Sequence, residues 1–592
     1  MENTTGRWWD KLGKPQYGGE LVIRANRDIV NFDPFYTEAL TSIYGAWMER
    51  LVADDWTVDP TEWDYKITWH PSKYLKGQLA EGWEFKGPHT HIVHLRKGVH
   101  WQNIYPANGR EFTADDVVFH YNRLYGLGGG FVKPSPFRAT DIRIKDLISV
   151  TAPDRYTVVF KFKTLDPENI IETLHNAYQA QCLENPEAVK QWGDLKDWHH
   201  AIGTGPFILK DFIPGKSATP VKNPDYWGHD ERHPQNRLPY LDTVKFLIIP
   251  DDQEALEMMR AGKIDIMDRV FYKQARAMQK SNPEIQQIFI PRTPTVTLQP
   301  RNDMKPYNDI RVRMALQMAI DLPAIAMSHY EGEIDPYPST LTATKFMKGW
   351  GFPYEDWPQE LKNEYAYNPA AAKKMLADAG YPDGFETNVI ADTDGDLELL
   401  KIVQAYFADI GVKMEIRTMD PASYTEYVEN QHKHDQLVYR PYGPLGQTYA
   451  PLRVITRLQT GYATNYAMVS DPVFDAFFGK ATAAGTETEL KQVLRDANEY
   501  VARKHFVISL LQPVEYSLCQ PWLKGYHAQI YSVWMGVGGA SLSSFYTARF
   551  WVDQQLKKSL RHQSTYRRSN PVNMLFCDLL TCARHQSGLL RR

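Results

Sequence analysis

Strand-like and helix-like patterns of hydrophobic residues alternate along most of this chain. In the segment 157–163, Val158, Phe160 and Phe162 fall at every second position, which places them on one face of a half-buried strand. Comparable patterns predict further strands at 19–24, 90–95, 242–249, 263–266 and 412–416. Strands that alternate with helices in this way are typical of the α/β class, in which helices cover the sheets.

Helix signals lie between these strands, and several carry recognisable caps. Thr113 and Asp116 form a capping box, in which each side chain satisfies a free amide of the first turn, so a helix is predicted from 114 to 124. N-cap residues predict three more helix starts, at Asn308, Asn368 and Thr486. Apolar residues at helical spacing predict an amphipathic helix over 399–410, which Gly411 ends.

The chain is longer than one hydrophobic core normally supports. A length of 592 residues predicts several domains. The 67 Lys and Arg residues nearly balance the 71 Asp and Glu residues, and the net charge of −4 gives no long-range field that would attract a polyanion. Nucleic acid is therefore not expected as a partner.

The termini and the cysteines do not define the cellular compartment. Residues 1–19 contain charges where a secretory signal would need an apolar run, so no export signal is visible. The four cysteines are too few for a disulfide scaffold and show no CxxC spacing. Cys182 and Cys519 could form a bridge, but two buried free thiols are expected instead. The Arg-rich segment 559–592 is predicted to be a basic, disordered tail, with a basic arm for an acidic surface as the alternative.

Three histidine pairs are the main signal for metal chemistry: His89 and His91, His199 and His200, and His432 and His434. Histidines two positions apart can share a metal ion from a strand, so a metal-dependent hydrolase stays an alternative. The chain has no HExxH motif, however, and surface roles are expected for these histidines. His432 is the candidate contact if a bound solute itself carries a metal. With no GxSxG elbow either, no catalytic residue, cofactor or metal site is predicted.

Six short motifs follow one another in a characteristic order. They are LAEGWE at 79–84, LRKGV at 95–99, GTGPF at 203–207, NPDYW at 223–227, DIRVR at 309–313 and YNPAAAKKMLADAGY at 367–381. With this order and spacing, nearly the whole chain resembles the extracytoplasmic solute-binding proteins of the peptide and nickel class, family 5, which serve ABC importers. Proteins of that family bind and release a ligand and carry out no bond chemistry.

The resemblance implies an α/β, two-lobed periplasmic-binding-protein fold of type II, similar to cluster C, with an extra domain inserted in the first lobe. The implied segments are an N-terminal extension at 1–16, a first lobe at 17–62, 196–290 and 510–558, an inserted domain at 63–195, and a second lobe at 291–509. Chain crossings near Pro291 and His505 would form the hinge, and closure of the lobes would bury the ligand.

The same resemblance implies a function. The expected protein is a monomeric receptor, periplasmic or on the cell surface, that captures a peptide-like solute and delivers it to the permease subunits of an ABC importer. It would meet the membrane only through that permease, and it is not expected to be an enzyme. An oligosaccharide or a metal chelate is the alternative solute.

The expected ligand contacts fall in both lobes. Peptide-binding members place a carboxylate for the ligand amine in the stretch that corresponds to 435–445, but here no acid follows Asp435 until Asp471. Arg440, with its planar five-donor fork, would instead suit a carboxylate or another acceptor. The remaining candidates are Tyr424, Tyr439 and Tyr442 in the second lobe and Asn31, Phe32 and Asp268 in the first. The alternative is that Arg440 pairs within its own lobe and that the tyrosines only pack.

Overall fold

The computed structural model of the protein describes most of the chain. The described residues are 7–36, 43–66, 70–136, 147–163, 182–291, 296–338, 341, 349–393, 395–440, 451–511, 514–529 and 543–569. The chain divides into two units: unit 1 comprises residues 1–63, 73–288 and 516–592, and unit 2 comprises residues 64–72 and 289–515. This division assigns residues 64–72 to unit 2 and keeps residues 73–195 with the rest of unit 1, so the lobe boundaries and the inserted domain stay predictions.

Unit 1 contains a seven-stranded sheet. In spatial order its strands are Gln286–Pro291, Val514–Cys519, Ile266–Phe271, Glu20–Ala25, Thr243–Ile248, Ser217–Lys222 and Phe207–Ile213. The strand Glu20–Ala25 runs parallel to both of its neighbours, because Ile23 pairs with Ile266 on one side and Ala25 pairs with Ile248 on the other. Apolar residues of these strands and of two covering helices form a buried core, which includes Val22, Met259, Met278 and Leu518.

A separate four-stranded antiparallel sheet lies in the segment predicted as the inserted domain. Its strands, in spatial order, are Ala80–Lys86, Thr90–Leu95, Thr157–Phe162 and Leu147–Asp154. Val158, Phe160 and Phe162 are buried, which confirms the predicted one-sided strand. Tyr121, from the helix Ala114–Tyr125, packs edge-to-face on Phe160 with ring centroids 4.9 Å apart.

The helices of unit 1 cover these sheets or connect their strands. The α-helices are Ala114–Tyr125, Pro186–Trp192, Asp252–Arg260, Tyr272–Ser281, Ser544–Arg549 and Gln554–Ser569. Short 3-10 turns occur at Trp8–Leu12, Tyr44–Ala46, Gly87–His89 and Trp198–His200. Three two-stranded ribbons complete the described strands of the unit, and they pair Val52–Asp54 with Leu75–Gly77, His229–Asp230 with His233–Arg237, and Leu523–Lys524 with Trp551–Val552.

Unit 2 is built on a five-stranded sheet. In spatial order its strands are Val412–Met419, Phe385–Asp392, Leu437–Arg440, Thr297–Pro300 and Ile508–Ser509. The first three are mutually parallel, and the strand Thr297–Pro300 is antiparallel to both of its neighbours. The helices are Ile310–Met318, Leu322–Ser328, Gln359–Glu364, Pro369–Asp378, Leu397–Asp409, Pro421–Tyr424, Pro451–Thr456, Pro472–Thr482 and Glu487–Lys504, and a π-helical turn, Thr425–Asn430, continues one of them.

The predicted caps at three helices are confirmed. Asn368 Oδ1 accepts a hydrogen bond from the backbone nitrogen of Ala371 at 3.0 Å. Thr486 and Glu489 exchange the two bonds of a capping box, at 3.2 and 3.1 Å. Thr113 and Asp116 form a capping box at the helix Ala114–Tyr125. Local polar chemistry therefore sets these helix starts.

Two predicted boundaries were wrong by a few residues. The helix assigned to an Asn308 cap is capped by Asp309 instead, because the Asp309 carboxylate accepts from the backbone nitrogen of Arg311 at 2.9 Å. The strand predicted at 263–266 is found at Ile266–Phe271. Just before it, Asp265 binds Val22 through two bonds: its backbone nitrogen donates to the Val22 backbone oxygen at 2.7 Å, and its carboxylate accepts from the Val22 backbone nitrogen at 2.8 Å.

The predicted disordered tail also needs correction at its start. Residues 559–569 continue the helix Gln554–Ser569, and the rest of the predicted tail lies outside the described residues. Two basic side chains of the helix bind the sheet region: Lys557 Nζ lies 3.1 Å from Asp265 Oδ2, and Arg561 donates to the backbone oxygen of Gly262 at 2.6 Å. These bonds attach the helix to the sheet region, although the helix has only a weak hydrophobic pattern.

Cys182 and Cys519 are both free and buried, as predicted. Burial raises the pKa of each thiol. Within the described residues, no helix combines the length and the apolar character needed to cross a membrane.

Candidate functional site

In unit 1, three parallel strands end at one edge of the seven-stranded sheet, which we call edge 1. They are Ile266–Phe271, Glu20–Ala25 and Thr243–Ile248. Along the chain, Glu20–Ala25 is followed by Thr243–Ile248 on one side of it and then by Ile266–Phe271 on its other side. The order of the strands therefore changes direction at this edge. In open α/β sheets, ligands bind beyond the carboxyl ends of strands at such a switch point.

The loop Asp28–Tyr36, which we call the edge loop, follows the middle strand of edge 1 and carries two predicted contacts. Asn31 and Phe32 are 4% and 3% exposed. Asn31 Oδ1 accepts a hydrogen bond from the backbone nitrogen of Asp33 at 2.8 Å. The ring of Phe32 packs edge-to-face on Phe212 with centroids 4.9 Å apart. Both residues therefore lie at edge 1 in fixed positions, and their contact with a ligand stays a prediction.

A buried charge cluster anchors the edge loop. It consists of Asp33, His120, Arg123 and Glu184, each at most 3% exposed. Arg123 donates to the two carboxylate oxygens of Asp33 at 3.0 and 2.6 Å and to Glu184 at 3.3 Å, and His120 Nδ1 contacts the other oxygen of Glu184. Burial acts to raise the pKa of Glu184, but the charges of His120 and Arg123 outweigh it and lower the pKa to about 2.

Asp268 lies on a strand of edge 1, two residues beyond the pairing of Ile23 with Ile266, and is 7% exposed. Burial, together with the Asp268 carboxylate, raises the pKa of the Tyr526 hydroxyl. The next residue, Arg269, has a φ of 61°, which is left-handed and strained for a residue other than glycine. Such strain is often found at functional sites, but the role of Asp268 stays a prediction.

Unit 2 has an edge of the same kind, which we call edge 2. The parallel strands Phe385–Asp392, Val412–Met419 and Leu437–Arg440 end there, and the register pairs Ala391 with Tyr439. The predicted contacts of the second lobe that the structure describes all lie at these strand ends or on the segment that follows one of them. Edge 2 therefore brings Tyr424, predicted on the preceding helix, next to the contacts predicted in the stretch 435–445.

Five residues at edge 2 form a hydrogen-bonded group, the edge-2 network. The Tyr424 hydroxyl donates to the backbone oxygen of Tyr439 at 3.2 Å, and the Tyr439 hydroxyl donates to the backbone oxygen of Asp396 at 3.0 Å. The Asp396 carboxylate accepts from the Tyr330 hydroxyl at 3.2 Å and lies 2.9 Å from His329 Nε2. Tyr424 and Tyr439 are buried at 3% and 0% exposure, so they make up part of the wall of edge 2.

Asp396, His329 and Tyr330 were not predicted from the sequence. Asp396 also caps the helix Leu397–Asp409 by accepting from the backbone nitrogen of Leu399 at 3.0 Å. An aspartate directly before a predicted amphipathic helix is a usable cap signal. No local pattern could have joined it to His329, because the two residues are 67 positions apart.

Two predicted contacts have less structural description. Arg440 is the last residue of its strand at edge 2, and its backbone pairs in register with Thr297. Tyr442 lies outside the described residues. The ligand-binding roles of both stay predictions.

The histidine pairs have separate partners. His432 Nε2 lies 2.9 Å from the backbone oxygen of Ala463, and His434 Nε2 lies 2.7 Å from that of Tyr466. Burial lowers the pKa of His434 to about 4. In the part of the chain that the structure describes, no three His, Cys, Asp or Glu side chains are grouped so that they could hold a metal ion.

An open cavity of about 740 Å³ lies elsewhere in unit 2. Its lining includes Asn388, Lys413 and Arg417. The residues Glu386 and Val412 also line it, which places the cavity at the amino-terminal ends of the strands, whereas edge 2 is at their carboxyl ends. The strand polarity therefore favours edge 2, rather than this cavity, as the candidate site.

Comparison with protein families gives one match that covers most of the chain. Residues 75–460 match the family model described as bacterial extracellular solute-binding proteins, family 5 Middle. The match includes both the antiparallel sheet of unit 1 and the three parallel strands of edge 2.

Individual proteins resemble the chain over most of their length. Heme-binding protein A of Haemophilus influenzae is 26% identical over 475 residues, which are 76% of this chain and 81% of that protein. A dipeptide-binding protein of Pseudomonas aeruginosa is 25% identical over 477 residues, 76% of this chain and 83% of that protein.

A solved structure shows the fold. The ABC transporter-associated periplasmic binding protein DppA from Helicobacter pylori, in complex with peptide STSA, superimposes with a TM-score of 0.67 at 20% sequence identity and covers 91% of this chain and 99% of that one. The predicted fold class, that of the periplasmic binding proteins, is thereby confirmed.

Proposed function

The chain belongs to family 5 of the bacterial extracellular solute-binding proteins, and on that premise we propose that it is the receptor of an ABC importer for a peptide-like solute. It would work outside the cytoplasmic membrane, in the periplasm or at the cell surface, as a monomer. It captures the solute, passes it to the permease subunits unchanged and catalyses no reaction.

One observation carries this proposal. Every predicted ligand contact that the structure describes lies at the carboxyl-terminal edge of parallel strands within its own unit: Asn31, Phe32 and Asp268 at edge 1, and Tyr424, Tyr439 and Arg440 at edge 2. The sequence placed several of these residues near strand ends, and the parallel pairing of the neighbouring strands brings those ends to one edge in each unit. Strand ends of this kind are where α/β proteins bind small molecules.

The chemistry of these residues suits a peptide. Aromatic side chains offer apolar area with polar tips, which favours varied side chains and amide planes. Arg440 would orient the solute, because a guanidinium can donate two parallel hydrogen bonds to a carboxylate. The relative named as a dipeptide-binding protein, which aligns over 477 residues, supports the same class of solute.

A metal chelate is the second candidate solute. The observation that favours it is the similarity to heme-binding protein A over 475 residues. Heme would give the purified protein an intense Soret absorption band, which a peptide does not, so a spectrum separates the two candidates. An oligosaccharide, stacked on the aromatic residues, would give neither that band nor a peptide mass.

Calorimetric titration with tetra-alanine tests the proposal. We expect saturable binding by the unmodified protein, and about tenfold weaker binding by Arg440→Ala with little change in thermal stability. Arg417→Ala is the matched control, since this exposed arginine pairs with Glu415 on a strand of edge 2 but lines the cavity at the other end of the strands.

Three results would count against parts of the proposal. Equal affinity of Arg440→Ala and the unmodified protein would remove Arg440 from the site. Absence of binding to tetra-alanine and to a mixed peptide library, together with saturable binding of heme or of an oligosaccharide, would replace the peptide with that solute. Steady conversion of a bound peptide to products would contradict the receptor function itself.

A further inference from the structure

The edge loop is tied to a helix that lies far from it in sequence. Arg123, near the end of the helix Ala114–Tyr125, donates from both terminal nitrogens to the carboxylate of Asp33, at 3.0 and 2.6 Å. The two residues are 90 positions apart. Both are buried, at 3% and 0% exposure, so the pair is shielded from water and from salt.

The Asp33 carboxylate also organises the backbone around it. One oxygen accepts from the backbone nitrogen of Phe35 at 3.0 Å, and the other accepts from that of Leu195 at 2.9 Å. The Arg123 guanidinium lies 4.5 Å from the centroid of the Phe35 ring. A single ion pair therefore connects the edge loop, the helix that carries Arg123 and the segment around Leu195.

Asp33 of the ion pair is also bonded, through its backbone, to the predicted ligand contact Asn31. The backbone nitrogen of Asp33 donates to Asn31 Oδ1 at 2.8 Å, and the Tyr44 hydroxyl donates to the Asn31 backbone oxygen at 2.9 Å. Any shift of Asp33 changes the first of these bonds and with it the orientation of the Asn31 side chain. Phe32 lies between the two residues in the chain and shifts with them.

We infer that Asp33 and Arg123 are positioning residues, which hold Asn31 and Phe32 of the edge loop in the conformation that binds the solute. In this inference, the statement about solute binding rests on the proposed function. The statement about the conformation of the loop rests on the contacts within unit 1. The inference gives the segment predicted as an inserted domain a specific task, because that segment supplies Arg123 and Glu184 to the charge cluster.

The chain contains a matched control pair. Arg110 binds Asp116 of the same helix at 2.9 and 2.5 Å and Glu187 at 3.0 and 2.7 Å. Its hydrogen bonds also reach the backbone oxygen of Glu111. Arg110→Met thus removes an arginine that anchors the same helix, and it leaves the contacts of Asp33 intact.

Hydrogen–deuterium exchange of the full-length protein without solute provides the first test. In Arg123→Met we expect the amides of residues 28–36 to exchange about tenfold faster than in the unmodified protein. In Arg110→Met the same amides should exchange as fast as they do in the unmodified protein. Arg123→Lys, which keeps the charge but loses the two-pronged geometry, should give an intermediate rate. Asp33→Asn, which preserves the side-chain shape, serves as the second variant if Arg123→Met does not fold.

Titration of the same variants with tetra-alanine provides the second test. We expect Arg123→Met and Asp33→Asn to bind about tenfold more weakly than the unmodified protein, and Arg110→Met to bind within about twofold of it. Unchanged exchange of residues 28–36 in Arg123→Met and Asp33→Asn would overturn the positioning role. Faster exchange with unchanged affinity would overturn the link from the loop to the solute. If the unmodified protein itself binds no peptide, the proposed solute fails, and the exchange rates still decide the role of the ion pair.

Discussion

Edge 1 and edge 2 occupy equivalent places in their own sheets, but different interactions hold them. At edge 1, a buried cluster of charged side chains fixes the edge loop through Asp33 and Arg123. At edge 2, the links between strand ends are mostly neutral tyrosine hydrogen bonds, such as that from Tyr439 to Asp396. A buried ion pair is costly to disrupt, whereas a neutral hydrogen bond contributes about 1 kcal/mol. The difference predicts that edge 1 is rigid and sensitive to substitution, and that edge 2 tolerates change.

The largest expected effect comes from breaking the ion pair of edge 1. Arg123→Met leaves the buried carboxylates of Asp33 and Glu184 without their shared cation, so we expect the free energy of unfolding to fall by about 3–5 kcal/mol. Urea denaturation followed by circular dichroism measures this change. Arg110→Met also takes a cation from a buried carboxylate, Asp116, but Asp116 keeps hydrogen bonds from Trp101 and the backbone nitrogen of Thr113, so this variant should cost less, about 2 kcal/mol. Similar losses in the two variants would contradict the special weight given to the charge cluster.

The contribution of Glu49 to the free energy of unfolding should depend on pH in the opposite sense to that of Glu184. Glu49 accepts hydrogen bonds from the neutral groups of Gln78, Tyr226 and Trp227, and burial raises its pKa from 4.5 to about 7. Because the pKa is higher in the folded state, the stabilisation from Glu49 is full below about pH 4.5 and is lost as the pH rises through about 7.

The variant Glu49→Gln isolates this contribution. Relative to that variant, the unmodified protein should lose up to about 3 kcal/mol of unfolding free energy between pH 4.5 and pH 7, as measured by urea denaturation at several pH values. For Glu184 the sign reverses: its stabilisation is present above about pH 4.5 and disappears as the pH falls through about 2. A difference between the unmodified protein and Glu49→Gln that stays constant with pH would show that the pKa of Glu49 is the same in the folded and the unfolded protein.

The smallest effect is expected at edge 2. Tyr439→Phe removes the hydrogen bond to the backbone oxygen of Asp396 and keeps the buried ring, so the unfolding free energy should fall by about 1 kcal/mol. Thermal denaturation of this variant and of Arg123→Met compares the loss of stability at edge 2 with the loss at edge 1. A loss at Tyr439 as large as that at Arg123 would show that the edge-2 network is as rigid as the charge cluster.

Local signals predicted much of the architecture, and contacts between distant residues account for what was missed. Thr486, Asn368 and Thr113 could be recognised as caps because each acts on amides within a few positions. The strand at Ile266–Phe271 was misplaced because the apolar and polar residues alternate up to its start, at Ile264, Asp265 and Ile266, whereas its pairing is with the distant residue Ile23.

Contacts between distant residues also limited how much of the candidate site could be predicted from the sequence. Asn31 and Tyr439 could be selected by their place after or within a predicted strand and by the family resemblance. The pairs that hold them could not, because Asp33 and Arg123 are 90 positions apart and Tyr439 and Asp396 are 43 positions apart. Only the folded sheet and its connections bring such residues into contact.

Native mass spectrometry of the protein purified from its own host tests the central claim most directly. The account predicts a complex with a peptide-like molecule that dissociates on mild unfolding, and the released molecule should have the same mass as the bound one and bind again to refolded protein. A protein that retains and rebinds no solute from host extract, or that returns the solute chemically altered, would contradict it.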